Sequence, residues 1–483
     1  MKLPTRMIPQ VGLALLAGNA CAQKPNIVYI LADDLGYHEI SCNGQDKFAT
    51  PNIDKLAREG LSFTQHYAGS PVSAPSRCVL LTGLHTGHSY IRDNQEIGKW
   101  EDFTGQLPIP DSSFTLAELL KEKGYRTACI GKWGLGFNNT PGSPLNQGFD
   151  YFYGYLCQRQ AHNYYPEYLW QNHDKMALDN PPITIHGKFE GNPADSTAYL
   201  KYSGKVYSQD LLTAEALQYI HENKKHPFFL FLTYTIPHLS LQAPYSEIQK
   251  VKGSYPDTPY TGENGYVPCW SPRATYAAMI MLLDSYVGLI MEGLKEQGLD
   301  ENTIVFFSSD NGATFPTGGA DVAYFASNKP FRGFKTQLYE GGIHVPLIVR
   351  WKDKIRPGGK ADLICGFQDM MPTLAEITQS KAPRSTDGIS ILPALLGKKN
   401  QPQHEYLYWE YHSFGGSQAV RMGKWKAVLK NTKSKQDLKT ELYNLEEDPA
   451  ETIDLSLKYP DVLEKLEKVF QKRTPSPIEE WNF

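Results

Sequence analysis

The sequence predicts an α/β fold in which a mostly parallel sheet is sandwiched by helices, with a smaller C-terminal subdomain of antiparallel sheet plus helix. Two observations support this. Short apolar, β-branched runs alternate with helical patterns along most of the chain, as in parallel sheets covered on both faces. After about Pro393 the pattern changes to hairpin-like segments and a closing helix. We therefore expect a first, larger unit over 23–395 and a second unit over 396–483.

The elements follow one another in chain order. The first strand, 26–31, is an apolar run that ends in two aspartates. Further strands of the large sheet are expected at 126–130, 228–233, 303–308 and 346–350, with helices at 52–59, 116–123, 210–222 and 274–297. In the C-terminal unit we expect strands at 406–411, 417–421 and 425–429 and a helix at 461–472.

Composition excludes some classes of function. With 483 residues, 41% hydrophobic and 21% charged, this is an ordinary globular composition with room for a large core. The net charge of -4 argues against general nucleic-acid binding. If the chain binds an anion, the attraction must come from a local cluster of cationic side chains and not from the net charge.

The N-terminus has the pattern of a signal peptide over 1–22. Lys2 and Arg6 precede an apolar stretch, and Ala20-Cys21-Ala22 is a small-residue cleavage site. We expect export to the periplasm, with a lipoprotein anchored in the outer membrane through Cys21 as the alternative. No later run is expected to span a membrane. The six other cysteines form no C-x-x-C pair, which excludes zinc-ribbon spacing and leaves one disulfide possible.

Polar residues follow two of the predicted strands. Asp33 and Asp34 follow the first strand, and Asp310 and Asn311 follow the strand at 303–308. Each pair alone is typical of a turn. Because the carboxyl ends of parallel strands meet at one edge of the sheet, we expect the four side chains to converge. An all-oxygen set favours a hard cation such as calcium.

The segment from Ser73 to Gly83, Ser-Ala-Pro-Ser-Arg-Cys-Val-Leu-Leu-Thr-Gly, resembles the signature of type I sulfatases, which belong to the alkaline phosphatase superfamily. In that family the first position is oxidised to formylglycine, and its hydrated aldehyde attacks sulfur. The resemblance runs from Pro25 to Pro449. It implies an alkaline-phosphatase-like fold, Ser73 as nucleophile and calcium ligand beside Asp33, Asp34, Asp310 and Asn311, and a maturation enzyme as a transient partner.

The same resemblance assigns the cations and a general acid. Arg77, Lys132 in Gly131-Lys132-Trp133-Gly134, and Lys335 stand where the family holds the modified residue and the sulfate. His238 matches the histidine that contacts the ester oxygen, so we expect it to protonate the leaving alkoxide.

One position departs from the family pattern. Many sulfatases have a histidine where this chain has Gly134, and that histidine helps to eject sulfate. We hypothesise that His162 takes this role, the alternative being a histidine packed among tyrosines. His344, where the family usually has arginine, is expected to be structural.

The substrate is predicted only by class. A C-terminal loop rich in aromatic and polar residues is expected to complete the pocket, with Glu410, His412 and Gln418 contacting sugar hydroxyls; an ordinary hairpin turn is the alternative. The prediction is exo-acting removal of sulfate from a galactose or N-acetylgalactosamine sulfate. Two other classes stay open, a phosphatase or phosphodiesterase using unmodified Ser73 and an inactive glycan-binding protein. Asn311, where related phosphatases have a zinc-binding histidine, argues against the former.

Overall fold

The computed structural model describes residues 24–97, 105–434 and 438–483. The predicted signal peptide, including Cys21, lies outside the described residues. The strands are β1 (Asn26–Asp33), β2 (Leu61–Phe63), β3 (His66–Tyr67), β4 (Arg126–Lys132), β5 (Tyr151–Tyr155), β6 (Tyr168–Gln171), β7 (Asp174–Ala177), β8 (Phe228–Pro237), β9 (Thr303–Ser309), β10 (Leu347–Trp351), β11 (Gly359–Ala361), β12 (Cys365–Gly366), β13 (Leu407–Tyr411), β14 (Ser417–Met422), β15 (Trp425–Lys430) and β16 (Thr440–Asn444).

The helices cover both faces of the large sheet and one face of the small one. They are α1 (Pro51–Glu59), α2 (Ser73–Thr82), α3 (Leu116–Lys121), α4 (Ser208–Asn223), α5 (Tyr245–Val251), α6 (Pro272–Glu296), α7 (Glu340–Ile343), α8 (Met370–Ile377), α9 (Leu392–Leu395) and α10 (Pro460–Phe470).

The large sheet has ten strands in the order β11-β2-β10-β9-β1-β8-β4-β5-β6-β7. The five central strands, β9 to β5 in that order, are parallel, whereas β10, β6 and β7 pair antiparallel with their neighbours. All eight residues of β1 are buried because it lies between β8 and β9 with a hydrophobic core on each face. The predicted sheet of mostly parallel strands between helices is therefore confirmed.

The C-terminal subdomain is a four-stranded antiparallel sheet, β13-β14-β15-β16, with α10 packed on one face. Its other face packs on the large unit, where Tyr67, Val72 and Trp409 share one core. The predicted antiparallel sheet plus helix is confirmed, and β16 is a strand that was not predicted. The boundary proposed after residue 395 falls between α9 and β13 and stays a prediction.

The structure bears on two expectations from the sequence, one about membrane spans and one about disulfides. By length and composition the helix α6 is apolar enough to cross a membrane, although the sequence led us to expect no such run. It is mostly buried against α1, α4 and α5, as the core helix of a globular protein is.

The cysteines of the described residues are all free thiols, so the disulfide considered possible does not form among them. They are Cys42, Cys78, Cys129, Cys157, Cys269 and Cys365.

Candidate active site

The carboxyl ends of four neighbouring central strands form the floor of the site. In the sheet register Asp33 of β1 pairs with Pro237, the last residue of β8, and Ala32 pairs with Ser309, the last residue of β9. The strand β4 ends at Lys132 on the far side of β8. Parallel pairing thus brings residues distant in sequence to one edge of the sheet, as the sequence predicted.

Ser73 is the first residue of α2, and its side chain is buried above this edge. Its Oγ donates a hydrogen bond to Asp33 Oδ1 at 3.0 Å and accepts one from Lys132 Nζ at 3.3 Å. Pro75 stands in the first turn of α2, where a missing backbone N–H costs no helical hydrogen bond. The helix start therefore presents the Ser73 hydroxyl between a carboxylate and an ammonium group.

Arg77 lies one turn further along α2 and joins two strands. Its Nε and Nη2 donate to Asp310 Oδ2 at 3.0 and 2.9 Å, and its Nη1 donates to the carbonyl of Lys132 at 2.7 Å. The guanidinium is buried, so these bonds are shielded from water. Arg77 consequently holds the start of α2 in place over β4 and β9.

Three buried carboxylates lie close together at the floor. Burial alone would raise the pKa of Asp33, but the positive charges of Lys132, Arg77 and Lys335 outweigh it and hold this pKa far below its usual range. Burial raises the pKa of Asp34 and Asp310, and the charge on Asp33 raises both further. Such mutual repulsion between carboxylates is typical of a cation site.

The oxygen atoms at this floor fit a divalent metal ion. Asn311 Nδ2 donates to Asp34 Oδ1 at 2.7 Å, whereas Asn311 Oδ1 is buried without a hydrogen-bond partner. Asp33, Asp34 and His238 offer ligand atoms within 4.8 Å of one another. Carboxylates plus an unpaired amide oxygen form the donor set that hard cations prefer. The predicted ligands Asp33, Asp34, Ser73, Asp310 and Asn311 are all near this floor.

Lys335 and His238 complete the polar cluster. Lys335 Nζ donates to Asp34 Oδ2 at 2.8 Å. His238 Nδ1 donates to the carbonyl of Leu239 at 2.6 Å, which leaves Nε2 facing Asp34 Oδ2 at 3.7 Å. Burial, aided by the charge of Lys335, lowers the pKa of His238 to about 3. His238 is therefore neutral at neutral pH and must gain a proton on Nε2 before it can act as an acid.

A cavity of about 270 Å³ opens above the cluster. Five of the candidate residues named from the sequence line it: Ser73, Lys132, His162, His238 and Lys335. The other wall comes from loops with no motif of their own, so its residues were not predicted. Its members are Asn94, Glu96, Gln106, Gln158 and Arg159.

Asn94 is one of these residues, and it contacts the start of α2. Its Oδ1 accepts a hydrogen bond from the backbone N–H of Ala74 at 3.0 Å and another from Gln158 Nε2 at 3.3 Å. The polar run Arg92-Asp93-Asn94, shortly after α2, is a sequence signal that could have indicated it. Asn94 thus links the wall of the cavity to the start of α2.

The side chain of Gln158 lies beside Gly134, the position at which the family resemblance implies a histidine. Gly134 has φ +90°, and a Cβ built on it would lie 3.0 Å from Cγ of Gln158. His162 also lines the cavity, and its ring stacks on that of His238 with centroids 4.9 Å apart and planes at 17°. The structure therefore brings His162 into the site, in contact with the expected general acid.

Glu410, His412 and Gln418 do not line this cavity, and their predicted role in binding sugar is corrected. Glu410 accepts hydrogen bonds from Arg92, Arg473 and His412 at 2.8, 2.7 and 3.0 Å and is fully buried. Gln418 donates to the Tyr408 hydroxyl at 2.6 Å. The strands β13 and β14 pair so that Glu410 lies opposite Gln418, and these side chains belong to an internal hydrogen-bond network.

His344 is structural, as expected: it hydrogen-bonds Glu340 and stacks on Phe331.

His85, His88 and Asp387 form a second group of ligand-type side chains. The backbone N–H of Gly87 donates to His85 Nδ1 at 3.1 Å, so a neutral His85 carries its proton on Nε2, which faces Asp387 at 3.8 Å. A protonated nitrogen cannot bind a metal. This group is therefore a structural link between the loop after α2 and the segment before α9.

Comparison with known proteins identifies the family. Residues 25–380 match the family described as Sulfatase, and residues 333–474 match the one described as N-sulphoglucosamine sulphohydrolase, C-terminal. The chain belongs to the sulfatase family. It is a sulfuric ester hydrolase with the alkaline-phosphatase-like fold that the sequence predicted.

Three relatives of this sulfatase span most of it. An N-acetylgalactosamine-6-O-sulfatase of Bacteroides thetaiotaomicron is 29% identical, covering 98% of this chain and 99% of the relative. Arylsulfatase H of Canis lupus familiaris is 30% identical over 80% of this chain and 75% of its own length. The solved structure of Ps i-CgsB in complex with k-i-k-neocarrahexaose has a TM-score of 0.76 and 29% identity, covering 93% of this chain and 92% of that one.

Proposed function

We propose that this sulfatase removes sulfate from a sulfated glycan, acting on a terminal galactose or N-acetylgalactosamine sulfate, by means of a formylglycine at position 73 and a calcium ion. The observation that carries the proposal is the contact set of Ser73. Its Oγ touches both Asp33 and Lys132 at the floor of a small cavity whose rim holds Lys335 and His238. The names of the two glycan-directed relatives support the substrate class.

The cations of the cavity are arranged to bind a sulfate group. Lys132 and Lys335 both line the cavity, and burial strengthens their attraction for an anion because little water screens them. The positive charges supply the local field that the negative net charge of the chain does not. Sulfate oxygens held between these ammonium groups would place sulfur beside residue 73.

A formylglycine at residue 73 would supply, as its hydrate, one hydroxyl to attack sulfur and a second whose deprotonation would expel sulfate as the aldehyde re-forms. Lys132 Nζ, 3.3 Å from the oxygen of residue 73, stabilises negative charge on that oxygen. Asp33 accepts a hydrogen bond from the same oxygen, and its low pKa makes it a weak base that orients the hydroxyl. Asp33, Asp34, Asp310, Asn311 and residue 73 would hold the calcium, which supplies Lewis acidity.

His238 is the proposed proton donor to the leaving sugar oxygen. Burial and the charge of Lys335 keep its pKa low in the absence of an anion. A bound sulfate ester compensates the charge of Lys335 and so favours a proton on Nε2. The hydrogen bond from Nδ1 to Leu239 fixes the ring so that only Nε2 is available for this transfer.

The small size of the cavity favours one terminal sugar over the interior of a polymer, so we propose exo action. The segment 1–22 is proposed as a signal peptide for export to the periplasm, on its charge and apolar pattern. In the periplasm the enzyme would meet glycan fragments. Its maturation would require a separate enzyme that oxidises Ser73 to formylglycine.

The test is a desulfation screen on defined sulfated mono- and disaccharides, using protein whose formylglycine content is measured by peptide mass. We expect turnover of galactose or N-acetylgalactosamine sulfates in proportion to formylglycine content, and turnover of an aryl sulfate but not of an aryl phosphate. Ser73→Ala, made in the same host, is the control and should be inactive. Full sulfatase activity with Ser73 unmodified would overturn the mechanism; a preference for the aryl phosphate would overturn the function.

A further inference from the structure

His186 lies behind His162 and has a defined protonation pattern. The backbone N–H of Tyr266 donates a hydrogen bond to His186 Nδ1 at 3.1 Å. A backbone N–H can only donate, so His186 Nδ1 carries a lone pair. With Nδ1 unprotonated the ring is neutral and carries its single proton on Nε2, and burial, which lowers the pKa of His186, favours the same state.

That proton points at His162. His186 Nε2 lies 3.3 Å from His162 Nδ1, so the only hydrogen bond these two atoms can form has His186 donating and His162 accepting. Burial, with the charges of neighbouring His238 and Lys132, lowers the pKa of His162 well below its usual range. A neutral His162 whose Nδ1 accepts must carry its proton on Nε2.

We propose that His186 is a positioning residue that holds His162 as the neutral Nε2–H tautomer, so that His162 presents a fixed hydrogen-bond donor to an acceptor oxygen of the sulfated sugar. The inference rests on the proposed function of the cavity, which His162 lines. We call this chain of hydrogen bonds the relay: the Tyr266 backbone donates to His186, and His186 donates to His162. Neither hydrogen bond can form with donor and acceptor exchanged.

This arrangement changes the role expected for His162. His162 Nε2 already carries a proton, and a second proton on His162 Nδ1 would be repelled by the N–H of His186. His162 therefore cannot accept a proton, and it is not a proton-transfer group. It therefore does not replace the histidine missing at Gly134 as a base. Its neutrality also suits its stacking on His238, because a cationic neighbour would oppose the proton that His238 must gain.

The tautomer can be measured directly. We would label the histidines with ¹⁵N in protein with unmodified Ser73 and record long-range ¹H–¹⁵N correlation spectra, assigning two rings with His162→Gln and His186→Gln. We expect His162 to show the Nε2–H pattern at neutral pH. His186→Leu should shift His162 to a mixture of tautomers. His186→Gln should restore the pattern, because its carboxamide can accept from Tyr266 and donate to His162.

Activity provides a second readout. In matured protein we expect His186→Leu to lower kcat/KM for the sulfated sugar about tenfold, the value of one hydrogen bond, and His186→Gln to recover most of the loss. His226→Leu, at an exposed histidine before β8, is the matched control. An Nδ1–H or charged His162 in the unsubstituted protein would overturn the proposal, as would a His186→Leu variant with unchanged spectrum and kcat/KM. The spectra need no turnover, so failure of the relay is distinguishable from failure of the sulfatase mechanism.

Discussion

Gln158 lies against Gly134, so that a Cβ built on the glycine would come within 3.0 Å of Gln158 Cγ. Many sulfatases have a histidine at this position. Here the positive φ of Gly134 strains any residue with a side chain, and the adjacent Gln158 would have to shift to admit a Cβ. The wall of the cavity next to the nucleophile helix is consequently built by Gln158 and its hydrogen-bond partner Asn94.

A substitution at Gly134 tests this packing. We expect Gly134→Ala to lower the free energy of unfolding by about 1–3 kcal/mol, since it combines backbone strain with the contact to Gln158. The control is Gly253→Ala, where φ is +82° and no atom lies within 4 Å of a built Cβ, so only strain remains. Denaturant titrations should show the larger loss at Gly134 and partial recovery in Gly134→Ala/Gln158→Ala. Equal losses at both glycines would contradict the packing argument.

The proposed acid predicts a dependence on the leaving group. His238→Gln should reduce kcat for a sugar sulfate about 10²–10⁴-fold, because a sugar alkoxide leaves poorly without a proton. An aryl sulfate with an acidic phenol should lose far less, since its phenolate leaves unprotonated. Kinetics on both substrates measure the ratio. An equal loss on both would indicate that His238 positions the sulfate and does not donate a proton.

The proposed cation site predicts metal-dependent stability. Adding calcium to chelator-treated protein should raise Tm, because the ion relieves the repulsion among Asp33, Asp34 and Asp310. Asn311→Ala removes the unpaired oxygen and should weaken calcium binding about tenfold, seen as a shift of Tm against calcium concentration. The exposed Asn146→Ala serves as control. A calcium response unchanged by Asn311→Ala would remove Asn311 from the ligand set.

The buried position of Glu410 predicts that its substitution lowers the free energy of unfolding without changing substrate binding. Glu410→Gln leaves Arg92 and Arg473 without their buried counter-charge and should cost about 3–5 kcal/mol in the free energy of unfolding, with KM unchanged. The exposed pair of Glu464 with Lys468 is the control, where Glu464→Gln should change little. A raised KM with stability intact would restore the original sugar-binding hypothesis.

The same carboxylate has a defined pH signature. Burial alone would raise the pKa of Glu410, but hydrogen bonds from His412 and Arg473 and the charge of Arg92 lower it to about 2. Because the folded-state pKa lies below the unfolded value of 4.5, its contribution to stability is present above that value and is lost as pH falls towards 2. Denaturant titrations at several pH values should show the difference between unsubstituted protein and Glu410→Gln shrinking over this window. A constant difference would contradict the low pKa.

Local patterns carried most of the fold prediction. The apolar runs of β1, β8 and β9 are long and rich in β-branched or aromatic residues, so their strand character depends little on context. Short strands such as β2 and β11 depend on their neighbours for pairing and were missed. The strand β10 was predicted in place, but its antiparallel direction follows from the path of the chain, which a local pattern does not encode.

The sequence by itself determined the family, the order of the main elements, and the residues that meet at the edge of the sheet, because parallel strands deliver their C-terminal residues to one place. Tertiary structure decided the roles of side chains in loops. Only three-dimensional packing shows that Glu410 is enclosed by arginines and that His186 stands behind His162. The physical reason is that a hydrogen bond depends on the position of both partners, and for residues brought together from separate loops no spacing in sequence specifies that position.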